Sequence, residues 1–179
     1  MGLRRWTRLA AHRARARATS GVWTDPSIAT EGLGPEAIGI APTVLAELFD
    51  EHHMRLHGFL RDQRCIAGIG RRLANEVCHR AKVSPFSPTG KLGLEGATIV
   101  ARAMDEVIEE SLAYERSRPD MSSSADRPGS VHHRTGQPCP VCGDVVREVA
   151  YSSYTVNYCA TCQTSGKVLA DNTTSKFLR

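Results

Sequence analysis

The sequence predicts a mainly α fold that ends in a small β-hairpin. Apolar residues recur at helical spacing between residues 42 and 116, and two short β-like runs lie between two Cys-x-x-Cys pairs near the C-terminus. The 179 residues have room for one ordinary domain or two small ones, and 41% hydrophobic with 23% charged residues is a globular composition. We therefore expect a helical domain followed by a smaller cysteine-bounded unit.

The helical domain is predicted to begin at Pro42, a residue that suits the first turn of a helix. Two or three shorter helical pieces follow between about residues 56 and 82, interrupted by Gly68 and Gly70. Two Ser-Pro pairs at 84–88 predict an extended segment that turns. A longer helix is predicted from about Leu94 to Arg116. We expect its acidic face to be solvated; this face comprises Asp105, Glu106, Glu109 and Glu110.

Charge is distributed unevenly along the chain. Residues 1–17 contain six arginines and no acidic residue, whereas the other 162 residues carry 17 Lys/Arg against 19 Asp/Glu. We interpret the start as a basic arm, with an organellar transit peptide or a misplaced start codon as alternatives. Residues 21–23 could form a short strand. No apolar run is long enough for a membrane span or a secretory signal, so we expect a cytoplasmic protein.

The sequence divides into five predicted regions. Residues 1–41 form the basic arm and a short strand, and residues 42–116 form the helical domain. Residues 117–137 have the Ser-, Pro- and Gly-rich composition of a linker. Residues 138–165 form the cysteine-bounded unit, in which Val145–Val149 and Tyr154–Tyr158 are the predicted strands, and residues 166–179 form a tail.

Four of the six cysteines have the spacing of a zinc site. Cys139-x-x-Cys142 and Cys159-x-x-Cys162 are separated by 16 residues, a typical arrangement for four thiolates around one zinc ion. Because cysteines fill all four positions, the ion should be structural rather than catalytic. Iron and a redox dithiol are the alternatives, and a hairpin with four thiolates favours zinc.

A basic segment with two glycines is the second informative feature. Residues 61–91 carry seven Lys/Arg and two acidic residues, and Gly68 and Gly70 stand just before a predicted helix. The free N–H groups of such a helix start can accept a phosphate. Arg71 and Arg72 in the first turn oppose the helix dipole unless an anion is present. A plain turn between helices remains the alternative, while Leu73 breaks the glycine pattern of a dinucleotide-binding loop.

These two features together resemble one protein family. Residues 60–76, followed by Ser84-Pro85, resemble the helix–two-turn–helix segment of the formamidopyrimidine-DNA glycosylase / endonuclease VIII family. Residues 131–143 and 158–163 resemble the zinc finger of the same family, and residues 166–171 resemble the tail of its short actinobacterial members. The resemblance implies a helix–two-turn–helix domain, a zinc-ribbon β-hairpin with one structural zinc ion, and binding of double-stranded DNA by a monomer. The family excises oxidised bases that it has flipped from the duplex, and cleaves the resulting abasic site.

The resemblance also implies which residues contact DNA. Three of these residues depart from the family pattern: Arg71 replaces an Asn, His57 replaces a Lys, and Tyr154 replaces a finger Arg. Arg71, or a protonated His57, could still bind phosphate, and Tyr154 could stack or donate a hydrogen bond. The full set of expected DNA contacts is His57, Gly68, Gly70, Arg71, Arg72, Arg134 and Tyr154.

The family's catalytic residues have no counterpart that we can assign. In the family an N-terminal β-sandwich domain supplies a Pro amine, which forms a Schiff base, and an adjacent Glu. Here the chain begins Met-Gly-Leu and only about 40 residues precede the helical domain, of which 22–26 could be a remnant strand. We expect a DNA-binding protein without glycosylase or lyase chemistry of its own. The alternatives are a lyase that uses Lys82 or Lys91, and a zinc-ribbon module that binds RNA or protein.

Overall fold

The computed structural model describes residues 30–120, 126–151 and 153–169, and the chain from Leu33 onward forms one compact unit. Residues 1–29 of the predicted basic arm, which include the strand proposed within residues 21–26, lie outside these residues. The fold class is confirmed: helices dominate, and the one sheet of the described part is an antiparallel hairpin. The elements are α1 (Pro42–Glu51), α2 (Leu56–Arg61), α3 (Arg71–Arg80), a 3-10 turn (Thr89–Lys91), α4 (Gly93–Arg116), β1 (Val146–Ala150), β2 (Thr155–Cys159) and α5 (Ala160–Thr164).

The helical core is formed by the apolar faces of α1 to α4. Phe49 of α1 and Phe59 of α2 are fully buried and meet edge to face, with ring centroids 5.0 Å apart. Val100 and Met104 of α4 are also fully buried and belong to the same cluster. Each such side chain contributes roughly 1.5–3 kcal/mol through burial. This core fixes the orientation of the shorter helices α2 and α3, which carry the predicted site residues.

The Ser-Pro segment completes the start of α2. No side chain caps this helix, but the backbone N–H of Leu56 donates to the Ser87 carbonyl and that of His57 to the Pro85 carbonyl. Residues 84–87 form a turn, in which the Ser87 N–H donates to the Ser84 carbonyl, and this segment satisfies N–H groups that a helix start leaves free. It also anchors α2 to the segment that leads into α4.

Two short turns join α2 to α3, and one side chain closes them. Gln63 Nε2 donates to the Ile69 carbonyl at 2.6 Å, and its Oε1 accepts from the Gly68 N–H at 3.0 Å. Gly68 has a φ of +94°, which favours glycine over any residue with a Cβ. The glutamine and the glycine of the motif thus shape the backbone that leads into α3.

Residues 33–40, which the sequence assigns to the basic arm, pack against this two-turn segment. The Gly34 N–H donates to the Gln63 carbonyl, and Glu36 and Ala67 form a short parallel bridge. A Cβ on Gly34 would lie 2.6 Å from the Cys65 backbone, so the contact requires glycine. The helical unit therefore begins before Pro42.

Residues 126–137 are not a loose connection, although their composition predicts a linker. The buried Glu76 of α3 accepts backbone N–H groups from Ser130, Val131 and His132 at 2.7 to 3.0 Å. Val131 is fully buried. A composition-based prediction misses this because the binding group, one carboxylate, lies more than 50 residues away in sequence.

The hairpin is attached to α3 by a second polar contact. Asn75 Nδ2 donates to Asn157 Oδ1 at 3.4 Å, and the Asn157 N–H donates back to Asn75 Oδ1 at 3.3 Å. The observed strands start and end one residue later than predicted, and the Tyr151 N–H donates to the Tyr154 carbonyl to close the turn.

The acidic face of α4 is only partly solvated. Glu106 and Glu110 both accept hydrogen bonds from Arg80 of α3, and Asp105 accepts the Gly39 N–H. Three of the four acidic residues therefore join α4 to neighbouring segments. Among the described residues, no helix combines the length and the apolar composition that a membrane crossing requires.

We predict that Glu76→Ala loosens residues 130–132 from α3 and lowers the free energy of unfolding by about 2–4 kcal/mol, because a charged acceptor of three N–H groups is lost. Chemical denaturation monitored by circular dichroism measures the change. Glu109→Ala, on the exposed face of α4, serves as the control and should change stability by less than about 0.5 kcal/mol. Equal stability of the two variants would contradict the role of Glu76.

Candidate nucleic-acid interface and metal centre

The four predicted cysteines converge on one point. Their sulfur atoms all lie within 4.8 Å of one another, with Cys139 and Cys162 3.9 Å apart and Cys142 and Cys159 3.4 Å apart. Ligands at about 2.3 Å from a zinc ion in a tetrahedron lie about 3.8 Å from each other. The donor set and its spacing therefore fit one structural zinc ion.

Local backbone geometry aims the sulfurs. Gly143, with a φ of +77°, donates its N–H to the Cys139 carbonyl and closes the first turn. Cys159 ends β2, and its N–H donates to Gln163 Oε1 in α5. Gln163 Nε2 in turn donates to the Val83 carbonyl, so the second pair is tied to the helical unit.

A histidine of α3 contacts the metal site from outside. His79 Nε2 lies 3.3 Å from Cys139 Sγ, and both residues are buried. Opposite a zinc-bound thiolate, this nitrogen must be the hydrogen-bond donor. Such contacts orient a metal ligand. The sequence alone could not identify His79, because nothing in the local pattern places α3 next to the finger.

The N-terminus of α3 is open to solvent. Gly70 is the cap residue, no side-chain hydrogen bond caps this end, and the first turn holds no acidic residue. Gly70 and Arg71 are exposed. The helix therefore presents free N–H groups and a positive side chain together, an arrangement that suits an anion.

Arg72, the next residue, points elsewhere. Its guanidinium is half-buried and donates to Ser111 Oγ at 2.8 Å and to the Pro128 carbonyl at 3.3 Å. Burial lowers its pKa below the usual range for arginine. Through these bonds Arg72 joins α3 to α4 and to residues 126–131. Its position therefore does not favour the phosphate contact predicted for it.

Arg134 lines the same cavity as Arg72. Both line a cavity of about 300 Å³ between α3, α4 and the segment before the finger. The Arg134 Nη1 atom donates to the Gly129 carbonyl at 3.2 Å, and its Nε is buried. Apart from Gly68, Gly70 and Arg71 at the start of α3, the predicted DNA contacts therefore separate into two groups, with Arg72 and Arg134 in this cavity.

His57 and Tyr154 belong to the other group and meet directly. Their rings are nearly parallel, with centroids 6.1 Å apart, although the residues are 97 positions apart in sequence. Tyr154 also stacks on Tyr151 at 4.7 Å, and the Arg61 guanidinium lies 4.0 Å above the Tyr154 ring. The hairpin turn thus rests on α2 through an aromatic and cationic contact.

The predicted phosphate contact of a protonated His57 does not agree with the structure. His57 is 3% exposed, and burial, followed by the positive charge of Arg61, lowers its pKa to about 4. The imidazole is therefore neutral at pH 7. His57 packs beneath Tyr154 instead of carrying a charge on the surface.

Sequence reasoning did not single out Arg55, Arg61, Tyr151 or Asn75 as site residues. Arg55 Nη1 is 3.4 Å from the Tyr151 hydroxyl, and its guanidinium lies 5.3 Å from the Phe86 ring centroid. The only available signal was that Arg61 opens the basic segment of residues 61–91, which does not include Arg55.

Two family models match the chain. The helix–two-turn–helix domain of formamidopyrimidine-DNA glycosylase matches residues 32–123, and the zinc finger found in that enzyme and in isoleucyl-tRNA synthetase matches residues 136–164. The chain belongs to the formamidopyrimidine-DNA glycosylase family.

Relatives in this family differ in how much of their length is matched. A formamidopyrimidine-DNA glycosylase-like protein of Mycobacterium tuberculosis is 41% identical over 82% of this chain and 94% of its own length. The formamidopyrimidine-DNA glycosylase of Thermus thermophilus is 33% identical over 74% of this chain and 56% of its own length. The chain thus spans little more than half the length of the glycosylases it matches.

Solved structures of the family share the fold. The crystal structure of the Thermus thermophilus protein aligns with a TM-score of 0.62 at 32% identity, covering 73% of this chain and 53% of that one. A Lactococcus lactis formamidopyrimidine-DNA glycosylase in complex with DNA containing an abasic site aligns with a TM-score of 0.65 at 20% identity, covering 78% and 54%. The latter similarity shows the fold alone.

We predict one zinc ion per chain, removable with a strong chelator. Metal loss unfolds the finger, because four thiolates supply most of its folding free energy, whereas α1 to α4 keep their apolar core. Elemental analysis measures the zinc content, and near-ultraviolet circular dichroism reports on the finger tyrosines. Cys142→Ser should lose the metal, and Cys65→Ala, a change in the helical core, should retain it. Full zinc in Cys142→Ser would contradict the four-cysteine site.

We predict that stability falls as the pH is lowered from about 6.5 towards 4. Burial lowers the pKa of both His57 and His132 from 6.5 to about 4, so between these values the unfolded chain binds more protons than the folded chain. Thermal unfolding at several pH values, with zinc in excess, tests this. Burial also lowers the pKa of His79, so His57→Phe removes one of three such groups and should give a shallower dependence on pH over this interval. An unchanged dependence would refute the assignment to His57.

Proposed function

We propose that this protein binds double-stranded DNA as a monomer, through phosphate contacts, and has no glycosylase or lyase activity of its own. The observation that carries the proposal is the exposed, uncapped N-terminus of α3, with Arg71 in its first turn. Phosphate is the anion that such helix ends accept most readily, and it is the group that DNA presents at regular intervals.

The surroundings of this helix end support the proposal. Besides burial, the positive charges of Arg61 and Arg71 both lower the pKa of His57. Arg61 belongs to α2 and Arg71 to α3, so two elements contribute cations to one region. The relatives with DNA in their structures have the same fold.

The non-catalytic part of the proposal has different support. The Mycobacterium tuberculosis relative is matched over 94% of its length, whereas the glycosylases are matched over little more than half. The shared portion consists of the helix–two-turn–helix domain and the zinc finger. The two lysines suggested as alternative nucleophiles, Lys82 and Lys91, are both exposed, and neither lines the cavity between α3 and α4.

Binding is tested by fluorescence anisotropy with a labelled 20-base-pair duplex at 50 to 200 mM salt. We expect affinity to fall steeply with salt, because each neutralised phosphate contributes a slope of about −0.9 in a plot of log K against log salt. Arg71→Ala should reduce the slope by about one unit. Arg102→Ala, an exposed arginine beside Glu106 on α4, should leave it unchanged. Absence of binding at 50 mM salt would refute the proposal.

Catalysis is tested separately, with duplexes that contain an oxidised purine or an abasic site. The proposal predicts neither strand nicking nor a covalent complex after borohydride reduction. A trapped complex would instead establish a lyase, because reduction fixes a Schiff base between an amine and the sugar. Lys82→Ala and Lys91→Ala would then identify the amine.

A further inference from the structure

Two arginines at the ends of α2, the cap residue Arg55 and the last residue Arg61, contact the two tyrosines of the hairpin turn. Arg61, the last residue of α2, lies 4.0 Å above the Tyr154 ring. Arg55, the residue that precedes α2, has its Nη1 atom 3.4 Å from the Tyr151 hydroxyl. Both contacts join the helical unit to the finger, and neither arginine forms an ion pair with any residue that the structure describes.

Most other arginines near the two-turn segment and α3 are already neutralised or occupied. Arg64 pairs with Asp62 at 2.7 Å, Arg80 pairs with two glutamates of α4, and Arg72 bonds to Ser111. Arg61 differs from these, because its guanidinium contacts the aromatic ring of Tyr154 and no acidic group among the described residues. A guanidinium stacked on a ring is held by its face, so the N–H donors in its plane remain available.

This arrangement suits a phosphate of the DNA backbone. A planar guanidinium binds phosphate through two parallel N–H···O bonds, and a fixed guanidinium loses less conformational freedom on binding than a free one. Tyr154 is itself braced by Tyr151 and His57, so the support under Arg61 is rigid.

We propose that Arg61 is a phosphate-binding residue of the DNA interface and that Tyr154 is its positioning residue. The inference rests on the proposed binding of duplex DNA and adds to it a cation from α2, which the turn of the finger holds in place. Tyr154 thus acts through Arg61 and need not bind the duplex itself.

The test compares salt slopes of duplex binding for the full chain and its variants. Arg61→Ala should reduce the slope by about 0.9, the value of one phosphate contact. Arg61→Lys should keep the slope but bind several-fold more weakly, because an ammonium cannot form the two-bond contact. Arg64→Ala, three residues further on and paired with Asp62, is the matched control and should keep the wild-type slope.

Variants of Tyr154 separate positioning from a purely structural role. Tyr154→Phe keeps the ring and should bind as wild type does, whereas Tyr154→Leu should weaken binding several-fold without changing the number of charges. In the Arg61→Ala background, Tyr154→Leu should add little further loss, because the group it positions is already absent. Zinc content and thermal stability show whether each variant is folded, and Tyr154→Phe remains informative if Tyr154→Leu does not fold.

The results distinguish this inference from the proposed function. If the wild-type protein binds duplex DNA and Arg61→Ala keeps the full slope, the role of Arg61 is refuted and DNA binding stands. Equal reductions of the salt slope in Arg61→Ala and Arg64→Ala would also refute it, because the loss would then reflect the removal of any positive charge. If the wild-type protein does not bind, the proposed function itself fails.

Discussion

The buried carboxylate of Glu76 is the contact on which the arrangement of the two domains depends. It lies on α3 and accepts three consecutive backbone N–H groups at the start of the finger. A charge 7% exposed would destabilise the protein without partners, and these three donors compensate for the loss of water. Because the donors are backbone groups, their position is set by the path of the chain. Glu76 therefore fixes where the finger begins relative to the helices.

Helix α3 has one face in the helical core, one face against the hairpin and an exposed N-terminal end. Ala74, Val77 and Cys78 enter the helical core, while Asn75, Glu76 and His79 face the hairpin and its metal site. The N-terminal end, with Gly70 and Arg71, remains in solvent. A helix that is buried on most sides and exposed at one end is held rigidly and can still present that end to a ligand. This explains why only the first turn of α3 is free to bind.

How much the sequence reveals depends on how local the determining contacts are. The zinc site was predictable, because spacing and turn residues within 24 positions specify it, and the long helix was predictable from its apolar period. The burial of the His57, Arg72 and Arg134 side chains was not predictable. Whether the side chains of Arg72 and His57 reach solvent depends on residues 39 and 97 positions away, Ser111 and Tyr154 respectively. A sequence motif identifies the positions that contact DNA in the family, whereas the packing around them decides which of their side-chain atoms are exposed to solvent.

The metal site is connected to Arg55 and Arg61 through the hairpin. Zinc brings Cys142 and Cys159 together at the base of the hairpin, and strand pairing carries that constraint along β1 and β2 to Ala150 and Thr155. The turn beyond this pair holds Tyr151 and Tyr154, which contact the arginines of α2. A hairpin without its metal has two strands of five residues and too little core to keep this turn in place. The structural ion thereby maintains the position of cations that belong to the other domain.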